Sequence, residues 1–260
     1  MALGKQNQTP VTNIIVDLTN VLFIINVRVL LKSIGLFNLI WYTLTTWKDL
    51  EAVCLKFLDT MHNDMPTEHR YPVISYKGYT MPDCLAANLL GLSSSRTVLA
   101  EIKKAITYFG SRNYFYNANE QKLVASLMET MFNLDLIKQN MCPNMPLIRF
   151  LRSLKKRQQN YKFFLLTNVG HDTYQALMQK YPDVFTLFDG AILSADVHAL
   201  KPYPPIYHAL LDTYNLVPAE SVFIDDQPEN IEAAQVLGLH GIVYKNQRTM
   251  EKELAKLGIE

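Results

Sequence analysis

Four short segments of this chain run into polar or charged residues, and this pattern constrains the fold more than any other feature. The segments are 14–16 before Asp17, 163–166 before Thr167 and Asn168, 199–200 before Lys201, and 222–224 before Asp225 and Asp226. Short runs rich in β-branched and aromatic residues are typical of buried strands. Open α/β sheets bind their ligands at the carboxyl ends of such strands. The sequence therefore predicts that these polar side chains meet at one edge of a parallel sheet.

Helices and strands are predicted to alternate from residue 146 onward. The spacing predicts helices at 147–157, 171–180, 204–214, 231–237 and 250–257, and strands at 162–166, 191–194, 221–224 and 241–244. Pro204 suits the first turn of its helix, and Gly238 suits the end of the helix before it. The strands lack polar alternation, as expected when helices cover both faces of a parallel sheet.

Residues 24–142 do not alternate in this way and predict an α-helical insertion. The helical runs within it are 29–42, 47–61, 82–90, 98–109 and 121–132. The predicted fold is therefore α/β, with a three-layer Rossmann-like core and parallel sheet at 11–23 and 143–260. The insertion at 24–142 forms an α-helical cap, and residues 1–10 are expected to form a flexible N-terminus.

The polar residues at the strand ends are those that phosphoryl transfer through an aspartyl-phosphate requires. Asp17 could act as a nucleophile, Thr167 and Asn168 could bind phosphoryl oxygens, and Lys201 could offset negative charge. Two adjacent acids, Asp225 and Asp226, could hold Mg²⁺, which prefers oxygen ligands.

Each of these residues also has a structural alternative. Asp17 and the pair Asp225-Asp226 could cap a loop or a helix, and Thr167 with Asn168 could be an ordinary helix cap. A loop lysine such as Lys201 is usually solvated. Asn230 could hydrogen-bond the acids or face solvent, and the residues alone leave both open.

The order and spacing of the four motifs resemble the haloacid dehalogenase superfamily, whose members are mostly phosphatases. The resemblance covers about 11–23 and 143–245. It implies a Mg²⁺ site formed by Asp17, the backbone carbonyl of Thr19 and Asp226, with Asp225 a ligand or a neighbour of the ligands. It further implies that Asp17 and Lys201 are catalytic and that Thr167, Asn168 and Lys201 bind phosphate.

Thr19 departs from the pattern of the phosphatases that this chain resembles, which usually carry a second aspartate at this position. That acid protonates the leaving oxygen, and such help typically contributes ~10²–10⁴-fold. The expected function is a Mg²⁺-dependent phosphatase of small phosphorylated metabolites, with a lowered rate. The alternatives are a catalytically impaired binding protein and a phosphotransferase or mutase.

Composition excludes several other classes of protein. The formal net charge is +1 and 49% of the residues are hydrophobic, which favours neither disorder nor a nucleic-acid partner. No apolar stretch precedes residue 14, and the uncharged run 33–47 is shorter than the ~18 residues of a membrane span. Three widely spaced cysteines indicate free thiols. We therefore expect a cytoplasmic protein with a small phosphorylated substrate and no membrane partner, in an oligomeric state that the sequence does not indicate.

Overall fold

A computed structural model of the protein describes residues 10–26, 28, 30, 31, 39, 42, 49–65, 70–158 and 160–259. Nine of the ten residues predicted as a flexible N-terminus lie outside these ranges. Most of the predicted helix 29–42 and of the uncharged run 33–47 also lies outside the described residues, so the predicted helix stays a prediction.

The described chain contains short strands and mostly longer helices. The strands are β1 (Asn13–Val16), β2 (Phe23–Ile25), β3 (Ser75–Tyr76), β4 (Tyr79–Thr80), β5 (Met141–Pro143), β6 (Lys162–Thr167), β7 (Gly190–Leu193), β8 (Ser221–Asp225) and β9 (His240–Val243). The helices from residue 49 onward are α1 (Leu50–Asp64), α2 (Asp83–Leu89), α3 (Ser95–Gly110), α4 (Ala118–Phe132), α5 (Leu134–Asn140), α6 (Met145–Arg157), α7 (His171–Lys180), α8 (Pro182–Phe185), α9 (Ser194–Val197), α10 (Pro204–Tyr214), α11 (Pro228–Val236) and α12 (Gln247–Lys256).

Five strands form a parallel sheet in the order β7-β6-β1-β8-β9, which confirms the predicted α/β fold. β1 is central, with Val16 opposite Leu165 of β6 and Ile224 of β8. All four residues of β1 are buried, as expected for a strand covered on both faces. Asp17 therefore leaves the sheet at the same edge as Thr167 and Asp225.

The residues group into two compact units, and the sheet belongs to the first, which contains 1–24, 143–168 and 181–260. Its core includes Ile15, Phe164 and Phe223 of the sheet, packed with Ile206 and Tyr207 of α10. α10 begins at Pro204, whose fixed φ suits a first turn, and ends before Asn215 in the left-handed conformation. This packing fixes the helix that follows Lys201.

The second unit contains 25–142 and 169–180 and has its own apolar core. Phe57 of α1 lies at its centre, with ring contacts to Phe109, Tyr114 and Phe115. The unit is not wholly helical, because β3 and β4 form an antiparallel hairpin. The hairpin turn places Lys77 and Gly78 at φ 51° and 81°, a pair of left-handed residues typical of a tight turn.

The two compact units differ in extent from the predicted domains. Residues 143–260 were predicted as part of the core, whereas 169–180, which contains α7, groups with the second unit, and Ile24, predicted in the cap, groups with the first. The division into a catalytic core and a cap stays a prediction.

None of the helices in the described part of the chain is long and apolar enough to cross a membrane.

Candidate active site

Lys201 lies at the centre of the polar cluster at the carboxyl edge of the sheet. Its Nζ donates to Asp17 Oδ1 at 2.6 Å, to Asp225 Oδ2 at 2.6 Å and to the carbonyl oxygen of Leu166 at 3.0 Å. The side chain is only 2% exposed, so the alternative of a solvated loop lysine is wrong. Burial alone would lower the pKa of Lys201, but the two acids outweigh it and raise that pKa above its ordinary value. Lys201 therefore stays charged and joins Asp17, directly after β1, to Asp225 at the end of β8.

Asp17 is buried and held in a fixed position directly after β1. Its backbone N–H donates to the carbonyl of Ile224 at 2.9 Å, and its Oδ1 accepts from Lys201. Within the described part of the chain, no donor bonds its Oδ2. Burial raises the pKa of Asp17 to about 7, against the lowering effect of Lys201, and the nearby acids raise it further. An added cation would favour the ionised, nucleophilic form.

Asp225 is fully buried and its oxygens are occupied by protein donors. Oδ1 accepts from the backbone N–H of Gln227 at 2.8 Å, and Asn230 Nδ2 donates to both oxygens at 3.0 and 3.1 Å. Oδ2 also accepts from Lys201. The hydroxyl of Tyr207 holds the carbonyl of Asn230 at 2.8 Å. The buried Asn230 thus bonds the acid and does not face solvent, which settles the alternative left open by the sequence.

Asp226 is only partly buried and has a different environment. Its Oδ2 accepts from Asn20 Nδ2 at 3.0 Å, and Lys201 does not contact it. Burial raises the pKa of Asp226, and the bond from Asn20 partly opposes this. Asp226 therefore presents a carboxylate whose charge is not compensated by a direct cation contact.

Thr167 ends β6 and Asn168 follows it, but the two side chains have different surroundings. The hydroxyl of Thr167 is completely buried and bonds no group in the described chain, so it could serve a phosphoryl oxygen. The side chain of Asn168 makes two hydrogen bonds of 2.9 Å with the backbone of Lys201. Its Nδ2 donates to the carbonyl oxygen of Lys201, and its Oδ1 accepts from the N–H of Lys201. Asn168 thus fixes the loop that carries the lysine, and its predicted phosphate contact would have to come from its backbone.

Thr19 lies in the loop after β1 and is exposed. Its predicted part in the site is limited to its backbone carbonyl, and the structure does not test that contact.

Three carboxylates come together where a metal ion is predicted. Ligand oxygens of Asp17, Asp225 and Asp226 all lie within 4.8 Å of one another, so this cluster could hold a metal ion. The single ammonium of Lys201 does not balance three acids. An oxygen-seeking divalent cation such as Mg²⁺ fits this donor set.

Asn20 is the residue of this cluster that the sequence analysis did not assign. Its contact to Asp226 crosses 206 residues of sequence, so no local pattern pointed to it. The available signal was its place three residues after Asp17 in a tight loop, where its φ of 63° favours asparagine or glycine.

A family described as haloacid dehalogenase-like hydrolase matches residues 85–238, which is more than half of the chain. This range includes Thr167, Lys201 and Asp225 but begins after Asp17.

Three curated proteins match shorter segments. Bifunctional epoxide hydrolase 2 of Mus musculus is 32% identical over 117 residues, which are 44% of this chain and 21% of that protein. A sesquiterpene phosphatase of Aspergillus oryzae is 30% identical over 115 residues, which are 44% of this chain and 57% of that protein. A chloroplast flavin mononucleotide hydrolase of Arabidopsis thaliana is 34% identical over 59 residues, which are 23% of this chain and 24% of that protein. The matched segments therefore span less than two thirds of each relative.

Solved structures match nearly the whole chain in fold. One described as a predicted HAD-like family hydrolase of Porphyromonas gingivalis has a TM-score of 0.58 at 19% identity, covering 97% of this chain and all of that one. A HAD family enzyme of Bacteroides thetaiotaomicron, crystallised with magnesium and inorganic phosphate, has a TM-score of 0.52 at 17% identity, covering 90% of this chain and 94% of that one. With the family match over residues 85–238, these likenesses lead to one conclusion: the chain belongs to the haloacid dehalogenase-like hydrolases.

Proposed function

We propose that this protein is a Mg²⁺-dependent phosphatase of small phosphomonoesters that works through an aspartyl-phosphate on Asp17. The observation that carries the proposal is the contact of Lys201 with Asp17 and Asp225, beside a third acid and an unpartnered buried hydroxyl. Magnesium and phosphate in the related Bacteroides enzyme and the phosphatase names of two relatives support the same chemistry.

In the first step, a carboxylate oxygen of Asp17 attacks phosphorus and the bond from phosphorus to the ester oxygen breaks. Oδ2, which no donor of the described chain bonds, suits this attack, since Lys201 holds the other oxygen and fixes the carboxylate. The Thr167 hydroxyl and the backbone N–H groups after β6 would hold phosphoryl oxygens. Asp17, Asp226 and the Thr19 carbonyl would hold Mg²⁺, which when bound would offset the negative charges that meet there.

In the second step, water attacks phosphorus, the bond to Asp17 breaks, and inorganic phosphate leaves. The alcohol produced in the first step takes its proton from the solvent or from the substrate, because Thr19 has no acidic proton near neutral pH. This limits the rate most for esters whose alkoxide leaves poorly.

The direct test is release of inorganic phosphate from p-nitrophenyl phosphate by the purified protein, with Mg²⁺ and with excess EDTA. We expect turnover with Mg²⁺ and almost none with EDTA. Equal rates under both conditions would contradict the proposed metal dependence, and no release with a broad panel of phosphomonoesters would contradict a phosphatase.

The two adjacent acids should respond differently to substitution. Asp226→Ala should raise the Mg²⁺ concentration needed for half-maximal stabilisation by about 10-fold or more, because it removes the acid without a direct cation partner. Asp225→Ala should lower the stability of the metal-free protein more than Asp226→Ala does, because it removes a partner of the buried Lys201. Thermal melts over a Mg²⁺ series measure both effects.

Glu229→Ala is the matched control, since Glu229 is an exposed acid in the first turn of α11, close to the pair. It should change neither property. An Asp226→Ala variant that is stabilised by Mg²⁺ as strongly as the wild type would remove Asp226 from the metal site.

The absence of an acid at position 19 supports a second candidate function, a protein that binds a phosphorylated ligand with little turnover. Such a protein would bind a phosphomonoester in the presence of Mg²⁺ and release no phosphate over hours. The phosphate-release test above separates the two candidates.

Thr19→Asp should increase the turnover of alkyl phosphates and should change the turnover of aryl phosphates little. The introduced acid can protonate an alkoxide, whereas an aryl oxide leaves without a proton. The gain for alkyl esters should stay below the ~10²–10⁴-fold typical of general acid catalysis, because nothing has been shaped to hold the new carboxylate. The measurement is kcat/KM for one alkyl and one aryl phosphate at a fixed Mg²⁺ concentration. Equal or lower values for the variant on both would show that Thr19 does not replace a missing acid.

A further inference from the structure

One side chain of the loop after β1 contacts the acid pair at the end of β8. Asn20 Nδ2 donates to Asp226 Oδ2 at 3.0 Å. We infer that Asn20 is a positioning residue that fixes the carboxylate of Asp226 for the metal ion. The inference rests on the proposed Mg²⁺ site and adds to it a residue that determines how tightly, and how selectively, the ion is held.

The backbone of Asn20 is held in one conformation. Its φ of 63° lies in the left-handed region, which glycine and asparagine adopt most readily. Its N–H donates to the carbonyl of Phe23 at 2.7 Å, and the N–H of Phe23 donates to the carbonyl of Leu18, also at 2.7 Å. The side chain therefore starts from a fixed point and can orient its partner.

The three acids of the cluster receive different donors. Lys201 contacts Asp17 and Asp225 at 2.6 Å, and within the described chain Asp226 has the Asn20 amide as its side-chain donor. A neutral amide orients a carboxylate without cancelling its charge. The Asn20 amide thus holds Oδ2 of Asp226 and leaves its negative charge in place for a cation.

The contact also joins two loops that carry predicted metal ligands. The Thr19 carbonyl immediately precedes Asn20 in the chain, and Asp226 lies on the loop after β8. A bond between these loops restricts the spacing of the two ligands. Mg²⁺ requires nearly ideal octahedral geometry, whereas Ca²⁺ accepts 6–8 oxygens in flexible arrangements. Loss of the contact should therefore weaken Mg²⁺ binding more than Ca²⁺ binding.

Asn20→Gly tests this inference without straining the backbone, because glycine adopts the same φ. Mg²⁺ and Ca²⁺ are titrated separately into the purified metal-free protein by calorimetry, with no substrate present. We expect the dissociation constant for Mg²⁺ to rise about 2- to 10-fold, the effect of releasing one side chain that must be ordered again on binding. The dissociation constant for Ca²⁺ should rise by a smaller factor.

Asn215→Gly is the matched control, because Asn215 has a φ of 51° at the end of α10 and no contact with the acid cluster. It should leave both dissociation constants unchanged. An unchanged dissociation constant for Mg²⁺ in Asn20→Gly, or equally weakened binding of both ions, would overturn the inference while the proposed function stands. A wild-type protein that binds neither ion would overturn the proposed function as well.

Discussion

We expect Asp17→Asn to lower Mg²⁺-dependent phosphate release by roughly 10³-fold or more while the protein stays folded. An amide is a poor nucleophile and a weak Mg²⁺ ligand, yet it has nearly the size of the carboxylate that it replaces. Its oxygen can still accept the bond from Lys201, whose charge remains paired with Asp225 at 2.6 Å. The melting temperature without metal should therefore change by only a few degrees.

The measurement is kcat for p-nitrophenyl phosphate at saturating Mg²⁺, with circular dichroism to show that the variant is folded. Asp196→Asn is a suitable control, since Asp196 is an exposed acid on α9 outside the metal cluster. If Asp17→Asn retained most of the Mg²⁺-dependent turnover, Asp17 would not be the nucleophile and the proposed mechanism would be wrong.

Lys201→Met should have the largest effect on stability. Removal of one partner from a buried ion pair typically costs about 3–5 kcal/mol, because it leaves an uncompensated charge in the interior. Here two acids, Asp17 and Asp225, would lose their shared ammonium. We expect the free energy of unfolding without metal to fall by about that amount, and turnover to fall as well. Mg²⁺ should restore part of the stability, because it binds the folded acid cluster and not the unfolded chain.

Urea denaturation with and without Mg²⁺ measures this effect. Lys155→Met provides the comparison, since Lys155 pairs with Asp189 at 3.2 Å in a site that is more than one third exposed. Exposed pairs contribute about 0–1 kcal/mol. The double variant Lys201→Met with Asp225→Asn should lose less stability than the sum of the two single variants, as expected for groups in direct contact. A metal-free Lys201→Met protein as stable as the wild type would show that the lysine does not neutralise the cluster.

The sequence predicted the α/β core well because its strands are uninterrupted apolar runs. Residues 162–166 and 221–224 were predicted as strands, and the structure extends each by one residue, to Thr167 and Asp225. Ser194 was predicted to end a strand but begins α9, since serine is compatible with either role. α5 was not predicted from the sequence, although α2, which also has seven residues, was.

Strand ends also explain how much of the candidate site was predictable. Parallel strands deliver their carboxyl ends to one edge, so the approach of Asp17 and Asp225 followed from the order of the motifs. Lys201 reaches them from the loop between α9 and α10, since residues 199–200 do not form a strand. The direction in which each side chain points could not be predicted from the order of the motifs. The pairing of the Asn168 amide with the backbone of Lys201 depends on the path of a loop, and the Asn20 contact depends on a left-handed backbone. Such features arise from tertiary structure and leave no period in the sequence.

The central place of β1 in the sheet has a consequence during synthesis on the ribosome. β1 is made before both of its neighbours, and Asn13 reaches its hydrogen-bond partner Ser221 across 208 residues. At the usual elongation rates, roughly 10–40 s pass between the synthesis of β1 and that of β8, and β6 is made within that time. Until β6 is made, the apolar segment Ile14-Ile15-Val16 has no strand of the sheet beside it, and this is the period in which a chaperone would best protect the nascent chain from aggregation.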